Sequence, residues 1–194
     1  MILLIVRHGE TDYNKTKRVQ GTQQIPLNER GKNQALQVAK SLRQFKITHI
    51  YCSGLVRARE TAEIINSSFS LPIVKDNRLN ERNWGNWESK KRDEILKPGE
   101  NFENIWSEEN LDANPHQGET TRELMKRCVD FLHWIIENHA DSDVILVVTH
   151  AGPMRMIRGI IKGLQDEEYL RRDIKNGQIL IVKYEHARFA IEER

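Results

Sequence analysis

Five consecutive apolar residues, Ile2-Leu3-Leu4-Ile5-Val6, run without a break into Arg7-His8-Gly9-Glu10-Thr11. No other stretch limits the fold so strongly. A run this short, rich in Ile and stopped by glycine, fits a parallel-sheet strand covered on both faces better than a helix. In open α/β sheets, ligands bind beyond the carboxyl ends of such strands. Taken alone, Arg7 and His8 are equally well read as the point where a core strand meets solvent, so the remaining residues must discriminate.

They repeat the pattern. A polar loop without periodicity, Asp12 to Pro26, holds Asn14, Arg18, Gln20 and Gly21. Asn28 then has the character of an N-cap, because Ala35, Leu36, Ala39 and Leu42 follow at helical spacing. Ile47 to Cys52 is a second strand ending in Ser53-Gly54. Ala58, Ala62, Ile65 and Phe69 restore the helical period and place Arg57 in the first turn of that helix. Pro72-Ile73-Val74 reads as a short third strand. After a long helix opened by Gly118 or Thr120, with Leu124, Cys128, Phe131, Leu132 and Ile135 on one face, Val144 to Val148 is a second five-residue apolar run. It too ends in polar chemistry, Thr149-His150-Ala151-Gly152. Pro153 suits the first turn of the next helix, with Met154, Ile157 and Ile161 on its core face and Gly163 as its stop. Ile179 to Tyr184 is a last strand, with Phe189 to Ile191 as its hairpin partner.

Strands alternating with helices mean α/β: a three-layer sandwich with a mostly parallel central sheet flanked by helices. Residues 77–118 depart from this pattern, carrying Trp84, Trp87 and Trp106 among polar residues, and read as a lid-like insertion in a single domain of residues 1–194. The tryptophans are better read as packing the lid down than as walling a substrate pocket. The net charge of +2 gives no reason to expect nucleic acid. The apolar start is broken by Arg7 and is neither signal peptide nor membrane span, so a cytoplasmic protein is expected. Cys52 and Cys128 have neither metal-ligand nor disulfide spacing and read as buried thiols. No metal site and no cofactor are expected; a homodimer is the assembly left open.

Two strands ending in His8 and His150, and a third ending just before Arg57, set two imidazoles and two guanidiniums along one sheet edge. Arginine forks match phosphate oxygens, and the helix start at Ala151-Gly152-Pro153 adds backbone N–H groups. The combination calls for an anion, although His150 alone reads as well as a core histidine and Arg57 as a solvated helix residue.

These residues resemble the histidine phosphatase superfamily, also called phosphoglycerate mutase-like. The likeness lies in Arg7-His8-Gly9-Glu10-Thr11, Asn14, Gln20-Gly21, Pro26-Leu27, Gly31 and Gln34-Ala35, then Ser53-Gly54-Leu55-Val56-Arg57-Ala58, Leu79-Asn80-Glu81, Trp87-Glu88, Gly118-Glu119-Thr120 and Val148-Thr149-His150, in family order. The resemblance implies His8 as a nucleophile that carries the phosphoryl group as phosphohistidine, its other ring nitrogen held by a backbone carbonyl near Gly9. It implies Glu81 as general acid and base. Arg7, Arg57, Asn14 and His150 would bind the phosphoryl oxygens, with Gln20, Gly21 and Ala151 completing the phosphate site; Arg57 and His150 are expected to serve the phosphoryl group rather than the fold. Three positions depart from the family pattern: Gln24 where Asp is frequent, Ser89 after Glu88 where Gly is common, and Ala151 after His150 where Gly is usual. The last would cost stability only if the backbone there needs φ > 0.

The implied activity is metal-independent phosphomonoester hydrolysis of a small phosphorylated metabolite. The alternatives are a cofactor-dependent phosphoglycerate mutase-type phosphotransferase and a catalytically weak phosphate-binding module. Against the mutase, the segment from Trp84 sets Lys90, Lys91, Arg92 and Lys97 against eight acidic residues, so a second anionic group looks poorly provided for. Arg82 beside Glu81 is the mutase-like detail.

Overall fold

A computed structural model describes residues 1–96, 111–163 and 173–192. Its strands are β1 (Ile2–Arg7), β2 (His49–Cys52), β3 (Ile73–Lys75), β4 (Val144–Thr149), β5 (Ile179–Glu185) and β6 (Arg188–Glu192). Its α-helices are α1 (Asp12–Lys15), α2 (Glu29–Leu42), α3 (Val56–Asn66), α4 (Arg92–Ile95), α5 (Thr121–Asn138) and α6 (Ala151–Lys162). The strands form one mixed sheet in the order β3-β2-β4-β1-β5-β6. β1 to β4 pair in parallel, and β5 and β6 are antiparallel additions at one edge.

The two apolar runs are continuous because both sheet faces are covered. Leu3 and Ile5 of β1, with Ile145 and Val147 of β4, pack against Leu124, Phe131 and Ile135 of α5 and Met154 and Ile157 of α6. Their neighbours Leu4, Val6, Leu146 and Val148 point the other way, onto Val38, Ala39 and Leu42 of α2 and Ala58, Ala62 and Ile65 of α3. Side chains alternate along a strand, so a strand with a helical layer on each side needs apolar residues at every position. Burying each such side chain is worth about 1.5–3 kcal/mol.

The helix ends follow their sequence signals. The Asn28 side chain accepts the Gly31 N–H at the start of α2, and Thr120 forms a reciprocal cap with Glu123 at the start of α5. Pro153 falls in the first turn of α6, and Gly163 ends that helix at φ +91°. Several details differ from expectation: α3 ends at Asn66, before Phe69, β3 runs Ile73–Lys75, and the insertion contains the short α4. The Asp12–Pro26 loop contains α1, a single turn too short to show a period, started by Thr11 and Asn14 capping each other. β2 begins at His49 instead of Ile47.

In the insertion, Trp84 is buried and stacks on Trp87 with ring centroids 6.0 Å apart, while His116 meets both edge-on at 5.1 Å. Arg82 lies 4.4 Å over the Trp84 ring and donates to the Glu119 carbonyl at 2.7 Å. Arg82, the residue that resembled mutases, is thus fully buried in this packing. Trp106 and the rest of 97–110 lie outside the described residues. Cys52 and Cys128 are free and buried, and burial raises their thiol pKa values to about 11 and about 12. Among the described residues, no helix is long and apolar enough to cross a membrane.

Candidate active site

The sheet register brings the two histidines together. Arg7 of β1 pairs with Thr149 of β4, so the next residues, His8 and His150, leave adjacent parallel strands at the same level. Their ring centroids are 5.0 Å apart. From this point the chain turns to opposite faces, β1 leading toward α2 and β4 into α6. Such a divergence opens a crevice at the strand ends. The turn after β1 is very close: a Cβ on Gly9 would lie 2.3 Å from the Gly31 carbonyl oxygen, and one on Gly31 would lie 2.1 Å from that of Glu10. Only paired glycines permit this approach of the loop to the start of α2.

The His8 ring is 2% exposed and its Nδ1 lies 2.6 Å from the Gly9 carbonyl oxygen. A carbonyl can only accept, so Nδ1 carries the proton and Nε2 keeps its lone pair. The Arg57 Nε–H reaches Nε2 at 3.3 Å. Burial, then the charges of Arg57 and Arg7, hold the His8 pKa well below its ordinary value, against the pull of the Gly9 hydrogen bond. The ring is therefore neutral near pH 7.

Arg57 is fully buried, and its remaining nitrogens donate to the carbonyls of Gln23 at 2.8 Å and Gly21 at 2.7 Å. Arg57 thus anchors the loop of Gln20 and Gly21 as well as facing His8, which corrects the expectation that it serves the phosphoryl group rather than the fold. Arg7 donates to the Ile174 carbonyl. Burial lowers the pKa of both arginines to about 10, and both stay charged at neutral pH.

His150 is held by a relay that fixes its tautomer. The Gly54 N–H donates to Asn80 Oδ1 at 2.9 Å, which identifies that atom as the acceptor. The Ser53 hydroxyl must then donate to the same oxygen, at 2.8 Å, and its lone pairs accept from the Leu55 N–H and from His150 Nε2 at 2.8 Å. His150 Nδ1 is left buried without a hydrogen-bond partner, and burial and Arg57 hold its pKa well below normal. His150 is fully buried beside His8 and does not itself border the cleft.

The cleft, of about 60 Å³, is bordered by Arg7, His8, Asn14, Gln20, Gly21, Arg57, Glu81 and Ala151, and additionally by Arg18, Val19, Trp84, Arg92, Gly152 and Arg155. Glu81 Oε1 accepts the Arg82 N–H at 2.8 Å and the Gly152 N–H at 3.1 Å. A Cβ at position 152 would stand 2.2 Å from that oxygen, so the glycine makes room for the carboxylate. Asn14 Oδ1 accepts from the Thr11 N–H and from Asn176 Nδ2, and Gln20 Oε1 accepts from the Thr11 hydroxyl, so Thr11 orients both amides and the turn before β5 also holds Asn14. Ala151 is the first residue of α6 and is not among the residues at positive φ, so its side chain adds no strain. Gln24 accepts the Val56 N–H at the start of α3.

Arg18, Arg92 and Arg155 were not anticipated as site residues. They border the cleft despite the acidic balance of the segment from Trp84, which does not say which side chains face the cleft. The apolar spacing of α6 hid Arg155, which is mostly buried within that helix. Trp84, expected only to pack, does both.

Residues 3–194 match the family model described as Histidine phosphatase superfamily (branch 1). The protein named Probable phosphoglycerate mutase GpmB of Escherichia fergusonii is 34% identical over 185 residues, covering 95% of this chain and 86% of its own length. Bacillus stearothermophilus YhfR superposes with a TM-score of 0.87 at 30% identity, covering 98% of this chain and 94% of that one. The mycobacterial glucosyl-3-phosphoglycerate phosphatase solved with VO3 gives the same TM-score at 23% identity, over 98% and 96% of the two chains, a likeness of fold. With its sheet order, its paired histidines and a family match over nearly its whole length, the chain belongs to the histidine phosphatase superfamily.

Proposed function

We propose that the protein is a metal-independent phosphomonoester hydrolase acting on a small phosphorylated metabolite through a phosphohistidine on His8. The observation that carries this reading is the His8 ring, with Nδ1–H committed to the Gly9 carbonyl and Nε2 unprotonated, its lone pair facing the Arg57 Nε–H at 3.3 Å. Nε2 attacks phosphorus in line, the P–O bond to the leaving group breaks, and Glu81 donates its proton to the departing oxygen. Glu81, now a carboxylate, takes a proton from water, which attacks phosphorus and breaks the N–P bond to release inorganic phosphate and neutral His8. Arg7 and Arg57 stabilise the equatorial oxygens as charge redistributes. Asn14 and the Ala151 N–H at the start of α6 add neutral donors.

The second reading, a phosphoglycerate mutase-type transferase, draws support from the name of the Escherichia fergusonii relative and from Arg18, Arg92 and Arg155 on the cleft wall. The two differ in where the phosphoryl group goes. The test supplies an aryl phosphate and, separately, 3-phosphoglycerate with its bisphosphorylated primer, and measures free phosphate and 2-phosphoglycerate together. Steady phosphate release from the aryl ester, lost in His8→Ala with the fold retained, is the expected result. Rapid isomer formation with negligible phosphate release would establish the mutase instead. Acid-labile, base-stable labelling of the His8→Ala protein would exclude His8 as the nucleophile.

A further inference from the structure

At the other end of the sheet, three side chains converge from three elements. His49 is the first residue of β2, His139 caps the C-terminus of α5, and Asp143 immediately precedes β4. His49 Nδ1 is 3.9 Å from Asp143 Oδ1, His139 Nδ1 is 3.4 Å from Asp143 Oδ2, and the three donor atoms lie within 4.8 Å of one another. We propose that His49, His139 and Asp143 form a site for a divalent transition-metal ion, with zinc the best chemical match.

Two imidazoles and one carboxylate suit Zn²⁺ and its neighbours rather than Mg²⁺ or Ca²⁺, which take oxygen ligands. Donors around a tetrahedral zinc at bond lengths of about 2.0–2.1 Å stand roughly 3.3 Å apart. The Asp143–His139 pair is already near that separation. His49 has the furthest to travel, and its side chain is 44% exposed and has room to turn. The other two ligands are fixed. The Asp143 carboxylate accepts the Ala140 N–H at 3.0 Å and the Thr48 hydroxyl at 3.1 Å. His139 Nε2 meets the Tyr51 hydroxyl at 3.0 Å, and its ring packs against Tyr51 and Trp134.

An outer partner on the far ring nitrogen is the arrangement that orients a metal-bound histidine. On binding, the proton on His139 Nδ1 is replaced by the metal and Nε2 is protonated in its place, donating to Tyr51. Without an ion, His139 pairs with Asp143 and His49 Nδ1 lies 2.9 Å from the Thr48 hydroxyl, so binding requires His49 to exchange that hydroxyl for the metal; its ring already lies edge-on to His139 with centroids 4.5 Å apart. Two imidazoles side by side repel when protonated and cooperate when both face a metal. Arg57 and His150 follow the opposite, C-terminal ends of β2 and β4, so this site is separate from the cleft. The ion would act as a clip joining β2, α5 and β4. The spacing of the three residues in the chain, 49, 139 and 143, offers no ligand motif, so the sequence alone gave no reason to expect a metal here.

The untagged full-length chain, stripped with EDTA, is titrated with Co²⁺ followed by its visible ligand-field bands, then with Zn²⁺ in competition. One Co²⁺ per chain in a tetrahedral spectrum, displaced by Zn²⁺, with a higher Tm in zinc, is the expected result. His49→Ala, at an exposed position, should weaken binding at least about tenfold, and Tyr51→Phe on the order of tenfold, while His8→Ala leaves it unchanged. Absence of saturable binding, or binding that survives His49→Ala and disappears in His8→Ala, would overturn the site.

Discussion

At the scale of single residues, the proton positions on His8 and His150 are fixed by neighbours of different kinds. The Gly9 carbonyl is one residue from His8, so its use was legible from the resemblance to the family. The relay to His150 runs from Gly54 through Asn80 and Ser53, and nothing in the spacing of those residues reveals it. Its consequence is a neutral imidazole whose Nδ1 holds an unused lone pair in a buried, cationic surrounding. A bound phosphoryl dianion offsets the repulsion by Arg57, so protonation of Nδ1 becomes favourable and turns it into a donor. We predict that His150 stays neutral down to well below pH 6.5 in the free protein and that its pKa rises when vanadate fills the cleft. Ring ¹⁵N shifts measured through a pH titration, with and without vanadate, check this; an unmoved pKa would mean that His150 does not sense the anion. Ser89 gives a prediction of another sort. It sits at φ +68°, in the left-handed region, at the position where the family commonly has glycine. Relief of a left-handed penalty of about 1–2 kcal/mol, set against the larger unfolded-state entropy of glycine, about 0.5–1 kcal/mol, leaves Ser89→Gly stabilising by about 0.5–1 kcal/mol. Its hydroxyl contributes only a long contact from Tyr13 at 3.4 Å. A Tm rise of about 1–4 °C should be seen calorimetrically, with turnover unchanged.

At the scale of elements, what could be read in advance divides along a physical line. β1, β4, α2, α5 and α6 announce themselves because burial on two faces or one stripe imposes a long pattern. The turn at Asp12–Lys15 does not, since four residues contain no period and its stability comes from the reciprocal Thr11–Asn14 cap. The start of α6 shows how an element's end can serve chemistry. Gly152 presents its N–H to Glu81 and leaves no Cβ in the way. Gly152→Ala should therefore push the Glu81 carboxylate off its seat while α6, which tolerates alanine well, stays formed. Displacement by about 1 Å is enough to cost on the order of 10²-fold in kcat. The check is kcat in the variant beside far-UV circular dichroism; wild-type kcat would show that Glu81 does not need this seat.

At the scale of the whole molecule, the fold places two buried imidazoles, the buried Arg57 guanidinium and that of Arg7 at one end of the sheet, and among the described residues Glu81 is the one carboxylate that borders the cleft. Topology does this: β1 and β4 are far apart in the chain and adjacent in the sheet, so sequence order alone could suggest the gathering but not its register or which arginines join it. The thermodynamic consequence concerns acid. His8 and His150 have folded pKa values well below the ordinary value of 6.5, with burial the largest cause and Arg57 next. Protons therefore bind the unfolded chain in preference to the native one once pH drops below about 6.5. The stability these two residues confer is fully present above that pH and is lost progressively as pH falls toward their folded values. Each contributes a slope of up to about 1.4 kcal/mol per pH unit in that window, above the range in which ordinary carboxylates titrate. Urea unfolding at intervals between pH 7.5 and 5 should show stability falling as pH is lowered through 6, and replacing His8 by Ala should make the fall shallower. A flat profile down to pH 5 would mean that both rings accept protons in the native cleft as readily as in the unfolded chain, and the neutral nucleophile would lose its physical basis.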